Sequence, residues 1–255
     1  MSEAVKVKRE IHKATPPAPA KEVMEAILPR LRLPKVYYPE SDGEPMAETD
    51  VHRKQMVYLI EALDDYFRHE PQVYVAGNLF VYYEEGNPAA VVAPDVFVVF
   101  GVPKGDRRIY KVWEEGKAPD VVFEITSAGT RWEDLGSKRG IYAYLGVREY
   151  FLFDPLGEYL RPVLQGWQLV EGDYRAMPPA EKEDQLCIHS RVLGLDLVVE
   201  DGFLRLYNPR TGEKLLTPLE AQEARRQAEE RICLLYTSDA ADEGLGVDLG
   251  GRRII

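Results

Sequence analysis

Between Glu48 and Glu70, the residues Met56, Leu59, Ile60, Leu63, Tyr66 and Phe67 recur at helical spacing, behind Thr49 or Asp50 as a cap. The pattern predicts an amphipathic helix. After Pro71 the period shortens: residues 73–103 read as three strands, with a turn at Gly86, Asn87 and Pro88 and an apolar run, VFVVF, at 96–100. VVFEI (121–125) reads as a further buried strand and SAGTRW (127–132) as a polar loop. A helix follows from about Glu133 to Leu145, ending at Gly146, a residue suited to the left-handed position after a helix. REYFLFDP (148–155) returns to strand. Strand, helix and strand in this order predict an α/β fold, a mixed β-sheet flanked by helices. WQLVEGDYRAM (167–177) and residues 193–215 read as short strands, a β-rich C-terminal extension of the same domain. The helix at 219–232 is almost wholly polar, as a solvated or coiled-coil arm would be.

Composition narrows the class. The chain has 255 residues, 45% of them hydrophobic, enough for one sizeable core or two modest ones. Its first twenty residues carry charges every third or fourth position and no apolar stretch of secretory-signal type, and no run approaches membrane-spanning length. Cys187 and Cys233 are too few for a disulfide framework and lack metal-ligand spacing. The expectation is a cytoplasmic protein with no membrane partner. TPPAPA (15–20) closes a flexible arm over residues 1–20, and 21–218 form a single domain. The net charge of −11 argues against a protein that coats nucleic acid non-specifically, though not against a local basic cleft.

The end of the chain changes character. CLLYTSDAAD resembles one reading frame of a transposase adapter used in sequencing libraries, and VDLGGRRII resembles the translated far end of that adapter. EGL and Gly246 stand where the variable index would fall. Residues 233–255 are therefore expected to be adapter-derived, and the native chain to continue past Ile232. Without this tail, which holds four acidic and two basic residues, the net charge is −9.

Within VVFEI stands a carboxylate, Glu124. A buried charge costs several kcal/mol or more unless it is paired, protonated or bound to a cation. Asp95 stands at the mouth of VFVVF as Glu124 stands near the end of VVFEI, and two carboxylates at adjacent strand ends repel unless a hard cation such as Mg²⁺ lies between them. At about 100° per residue, Lys138 falls between Ile141 and Tyr142 on the apolar face of its helix. Spacing leaves two readings open. Asp95 and Glu124 could hold a metal while Lys138 serves the attacking water and the charge developing on a phosphate. Alternatively, Lys138 pairs with Asp134 and snorkels outward, leaving Glu124 an ordinary internal salt bridge.

The series formed by Asp95 and then PDVVFEITSAGTRWEDLGSKRGIYAYLGVREYFLFDP resembles the Uma-two (Uma2) family, named as restriction endonucleases within the PD-(D/E)XK nuclease superfamily. The resemblance runs from about Glu48 through LGLDL to TGEKL and the polar helix. It implies a restriction-endonuclease-like sheet and divalent metal, Mg²⁺ or Mn²⁺, on Asp95 and Glu124, with the carbonyl of Ile125 as a further ligand. The superfamily's usual lysine, two residues after the acid, is Thr126 here, and the resemblance implies that Lys138 has taken its role.

Four accessory residues are double-edged. His52 either reaches the site or is an exposed helix-start histidine, and Glu48 either joins it or complements the helix dipole. Tyr142 either bonds within the site or is core, and Arg131 is either a phosphate contact or a solvated loop residue. Between Lys104 and Arg148 nine basic residues face seven acidic ones, a local balance compatible with DNA. The expectation is a metal-dependent endonuclease acting on DNA, with a homodimer suited to cutting both strands. The competing expectation is a catalytically inactive nuclease-fold module for binding or oligomerisation.

Overall fold

The computed structural model describes residues 36–41, 49–127, 136–182 and 185–245, with backbone alone at 181–182 and 235–245. The chain divides into two compact units, Met1–Tyr37 and Tyr38–Ile255, and all the elements below lie in the second.

Helix α1 spans Asp50–Tyr66, and its cap is Thr49, whose side chain accepts from the His52 N–H at 3.2 Å. Its inward stripe is His52, Gln55, Met56, Tyr58, Leu59, Ala62 and Leu63. Next come β1 (Val73–Ala76), β2 (Val81–Tyr82), β3 (Val91–Val92), β4 (Val96–Phe100), β5 (Tyr110–Lys111) and the short helix α2 (Val112–Glu115). The central segment supplies β6 (Val121–Ile125), α3 (Ser137–Leu145) and β7 (Glu149–Phe153). The remainder is β8 (Leu164–Val170), β9 (Asp173–Ala176), β10 (Ala180–Lys182), β11 (Gln185–Ser190), β12 (Leu195–Glu200), β13 (Phe203–Tyr207) and α4 (Pro218–Leu245).

Six strands form the central sheet in the order β1-β4-β6-β7-β8-β9. Within this sheet, among the described residues, only β6 and β7 run parallel, so the chain must cross a sheet face between them, and α3 lies on that connection. Gly146 ends α3 at φ 78°, its N–H turned back to the carbonyls of Ala143 and Tyr142. Side chains alternate across β6. Val121, Phe123 and Ile125 enter a core shared with α1 and with β11–β13, while Val122 enters a second core with Tyr142 and Val147. Cover on both faces explains why every residue of β6 and β7 is buried. The mixed α/β sheet flanked by helices is the architecture expected.

Two details differ from the sequence pattern. Residues 73–103 hold four strands, because β1 joins the central sheet whereas β2 joins a small sheet ordered β3-β2-β5. The break falls at Gly77 and Asn78. Asn78 takes φ 52°, and its N–H lies 3.0 Å from the Pro94 carbonyl, so the chain turns away against the mouth of β4. Secondly, β10 and β11 pair as an antiparallel hairpin within a four-stranded sheet, β10-β11-β12-β13. AEK has weak strand preference alone and is strand here because of its partner.

Helix α1 also closes the free edge of β13. The Gln55 amide donates to the Leu204 carbonyl at 2.9 Å and accepts from its N–H at 3.0 Å, while Tyr58 Oη accepts from Leu206 N–H at 3.0 Å. Backbone groups that would otherwise recruit another strand are thereby paired. Helix α4 runs without interruption through the Ile232–Cys233 junction. Among the described residues no helix is long and apolar enough to cross a membrane.

A methyl group on Gly77 would meet the backbone oxygen of Asp95 and would lie 2.7 Å from Ile60 Cδ1. Gly77→Ala is therefore expected to lower stability by about 1–3 kcal/mol through overpacking. Urea unfolding checks this: a lower midpoint at unchanged slope is the expected result, and an unchanged midpoint would contradict the close approach.

Candidate active site

The carboxyl end of β6 points its charge toward α3. Glu124 is 1% exposed on a strand packed from both sides, so solvent cannot satisfy it. Lys138, in the first turn of α3, places Nζ 2.9 Å from Glu124 Oε2. One turn later, Tyr142 donates its hydroxyl to Glu124 Oε1 at 2.5 Å. The i, i+4 spacing puts both donors on one face of the helix, and that face is the one laid on the sheet. Burial, followed by the adjacent Glu124 charge, pushes the Tyr142 pKa well above its usual value. The tyrosine therefore acts as a neutral donor.

Asp95 arrives from the neighbouring strand. The last antiparallel pair of β4 and β6 is Val96 with Phe123, so one step further along the register Asp95 stands opposite Glu124. Its Oδ2 accepts from the Ile125 N–H at 2.6 Å, and its Oδ1 lies 3.3 Å from His52 Nε2. The aspartate is thus held by the backbone of the strand that carries the glutamate, with a histidine from α1 close beside it.

Of the residues singled out in the sequence, Asp95, Glu124, Ile125, Lys138, Tyr142 and His52 come together at this end of the sheet. Glu48 and Arg131 lie outside the described residues, as does Asp134, the alternative partner for Lys138. His52 is 6% exposed rather than an exposed helix-start residue. Its spacing ahead of Met56, Leu59 and Leu63 on the apolar stripe carried that signal. Gly77 had none, because its requirement is set by the carbonyl of Asp95, which is remote in sequence. Among the described residues no group of three His, Cys, Asp or Glu side chains converges as a metal site.

The basic balance of 104–148 is largely neutralised. Lys104 pairs with Asp64, Arg107 with Glu115, Arg108 with Glu40, Lys111 with Glu114, and both Lys117 and Arg148 with Asp120. Arg139 donates to the Tyr174 carbonyl and lies 5.4 Å from the ring centroid of Trp167. Among the described residues, the excess of positive charge counted along the sequence is therefore not a free basic surface.

A family model described as "Putative restriction endonuclease", Uma2, matches residues 25–200. The chain belongs to the Uma2 family. That span takes in every element of the site, from α1 through β4, β6 and α3 to β7. Membership makes the chain one of a family of nucleases by description. Among solved structures, one titled a putative nuclease belonging to DUF820, from Anabaena variabilis ATCC 29413, is similar to this Uma2 chain at 14% identity and a TM-score of 0.47. It covers 66% of this chain and 93% of that one. No curated protein matches the chain.

Removing the hydroxyl in Tyr142→Phe takes one hydrogen bond from a buried carboxylate and is expected to cost about 1–3 kcal/mol in urea unfolding. It also changes the alkaline limb. Folded Tyr142 keeps its proton above its ordinary pKa of 10.0, while the unfolded chain releases it. The stability from this group is complete below that pH and declines as pH rises beyond it. Unfolding midpoints measured across that range should fall less steeply for Tyr142→Phe than for the parent, and parallel curves would contradict the assignment.

Proposed function

We propose that the chain is a metal-dependent endonuclease that hydrolyses DNA phosphodiester bonds at the shared end of β4 and β6. The observation that carries this reading is the meeting of Lys138 and Tyr142 with Glu124 at 2.9 and 2.5 Å, with Asp95 opposite in register. A buried glutamate needing only neutralisation would be satisfied by the lysine. A second carboxylate beside it makes an oxygen donor set, and oxygen donors suit Mg²⁺ or Mn²⁺. Mg²⁺ in particular uses one or two carboxylates and keeps water at its other positions, so the lack of a third acid is compatible with it. Asp95, Glu124 and the carbonyl of Ile125 would hold the ion. When bound, such a cation supplies Lewis acidity and lowers the pKa of coordinated water.

The chain's own residues supply the rest. Lys138 sets a positive charge at the carboxylate pair, where it can stabilise charge developing on a phosphoryl oxygen. Tyr142 fixes the orientation of Glu124, and the Ile125 N–H fixes that of Asp95. The family description supports DNA as the substrate. Residues 21–218 would form the nuclease domain, and a two-fold dimer would present one such site to each strand.

Relaxation of supercoiled plasmid by the full chain in Mg²⁺ or Mn²⁺ tests this directly. Asp95→Asn, Glu124→Gln and Lys138→Ala, each confirmed as folded by circular dichroism, are expected to lower the rate by about 10²–10³-fold. Cleavage that persists in all three would refute the assignment. A folded parent chain with no activity on any DNA or metal would favour the inactive binding or oligomerisation module.

A further inference from the structure

Beyond Glu124, the two parallel strands each extend their ladders by one residue. The Thr126 N–H donates to the Phe153 carbonyl at 2.7 Å, and the Asp154 N–H donates to the Val163 carbonyl at 2.8 Å. Ile125 pairs with Phe153 in the parallel register, so Thr126 and Asp154 are lateral neighbours. Val122 and Leu152 enter the core beneath α3, and alternation carries Glu124, Thr126 and Asp154 on to that same face.

Thr126 is 4% exposed and Asp154 is 1% exposed. Asp154 Oδ2 accepts from the N–H groups of Tyr159 and Leu160 at 2.5 and 2.9 Å, which fastens the loop after β7. Its other oxygen, Oδ1, is buried without a hydrogen-bond partner, and so is Thr126 Oγ1. One of these atoms can only accept while ionised, and the other carries a proton to donate. They stand on strands about 4.8 Å apart yet do not bond to each other. A buried polar group left unpaired is rare enough in folded proteins to call for a specific partner.

We propose that one buried water molecule bridges Thr126 Oγ1 and Asp154 Oδ1. Water fits this pair because it can accept the threonine proton and donate one of its own to the carboxylate. A divalent cation does not, since a hydroxyl and one carboxylate oxygen are a sparse donor set, and among the described residues no group of three His, Cys, Asp or Glu gathers to complete one. The bridge couples the end of the strand carrying Glu124 to the loop that Asp154 anchors. It requires no nuclease activity, so its test is separate from that of the catalytic reading.

A high-resolution crystal structure of the full chain, combined with thermal unfolding of Thr126→Val and Thr126→Ser, decides the matter. The expected result is an ordered water within hydrogen-bond distance of both atoms. Tm should fall by about 2–4 °C in the valine variant, which is isosteric but cannot hold the water, and stay closer to the parent in the serine variant. A direct Thr126–Asp154 hydrogen bond, a metal-length contact, or a dry gap would overturn the proposal. So would a valine variant as stable as the parent or more stable, because relieving an orphaned hydroxyl stabilises.

Discussion

A carboxylate buried between two packed faces is the constraint around which the centre of this molecule is arranged. Glu124 lies on a strand with α1 and the β10–β13 sheet on one side and α3 on the other, so no water surface is available to it. Its charge must be met from the layer above, within hydrogen-bond reach. This requires α3 to cross the sheet at one rotation, with Lys138 and Tyr142 downward. The left-handed turn at Gly146 then returns the chain to a β7 parallel to β6. The crossover, the helix face and the ion pair are solutions to one problem.

The second acid is constrained differently. Asp95 sits at the entry to β4, where the Ile125 N–H holds one oxygen, while the backbone around Gly77 approaches so closely that no side chain fits. Glu124 is held by side chains of a helix, Asp95 by the backbone of a strand. Rigid elements aim both, the positioning that the proposed reaction would require. The surrounding charges are mostly engaged with one another. Asp120, for example, binds Lys117, Arg148 and the Phe100 N–H at the opposite end of β6. Among the described residues, the site's polarity is therefore local and does not extend over a broad basic face.

Much of this was legible in the chain because periodicity reports burial. The stripe of α1, the double-sided runs of β4, β6 and β7, and the stop at Gly146 all follow from which residues avoid water. The place of Lys138 on an apolar helix face was readable for the same reason, but spacing left two partners open, Glu124 and Asp134. His52 was readable on the stripe but ambiguous, since a histidine near a helix start is at home in solvent too. The break at Gly77 and Asn78, the weak strand β10 and the ion pairing of the basic segment left no local trace. The break depends on the Asp95 carbonyl and the ion pairing in part on acids such as Asp64 and Glu40, all distant along the chain, while β10 depends on its hairpin partner β11.

Sequence alone determined the principal elements, the α/β class, the burial of Glu124, the apolar helix face that bears Lys138, and the resemblance that names the family, because these depend on side-chain character at fixed local spacing. Tertiary structure decided the rest: that Tyr142 and Lys138 share one carboxylate, that Asp95 is pinned by the Ile125 N–H, and that Thr126 comes to lie beside Asp154. Register and layer order bring together residues that no local period relates. A hydrogen bond is made or lost over less than an ångström, a distance set by packing rather than by position along the chain.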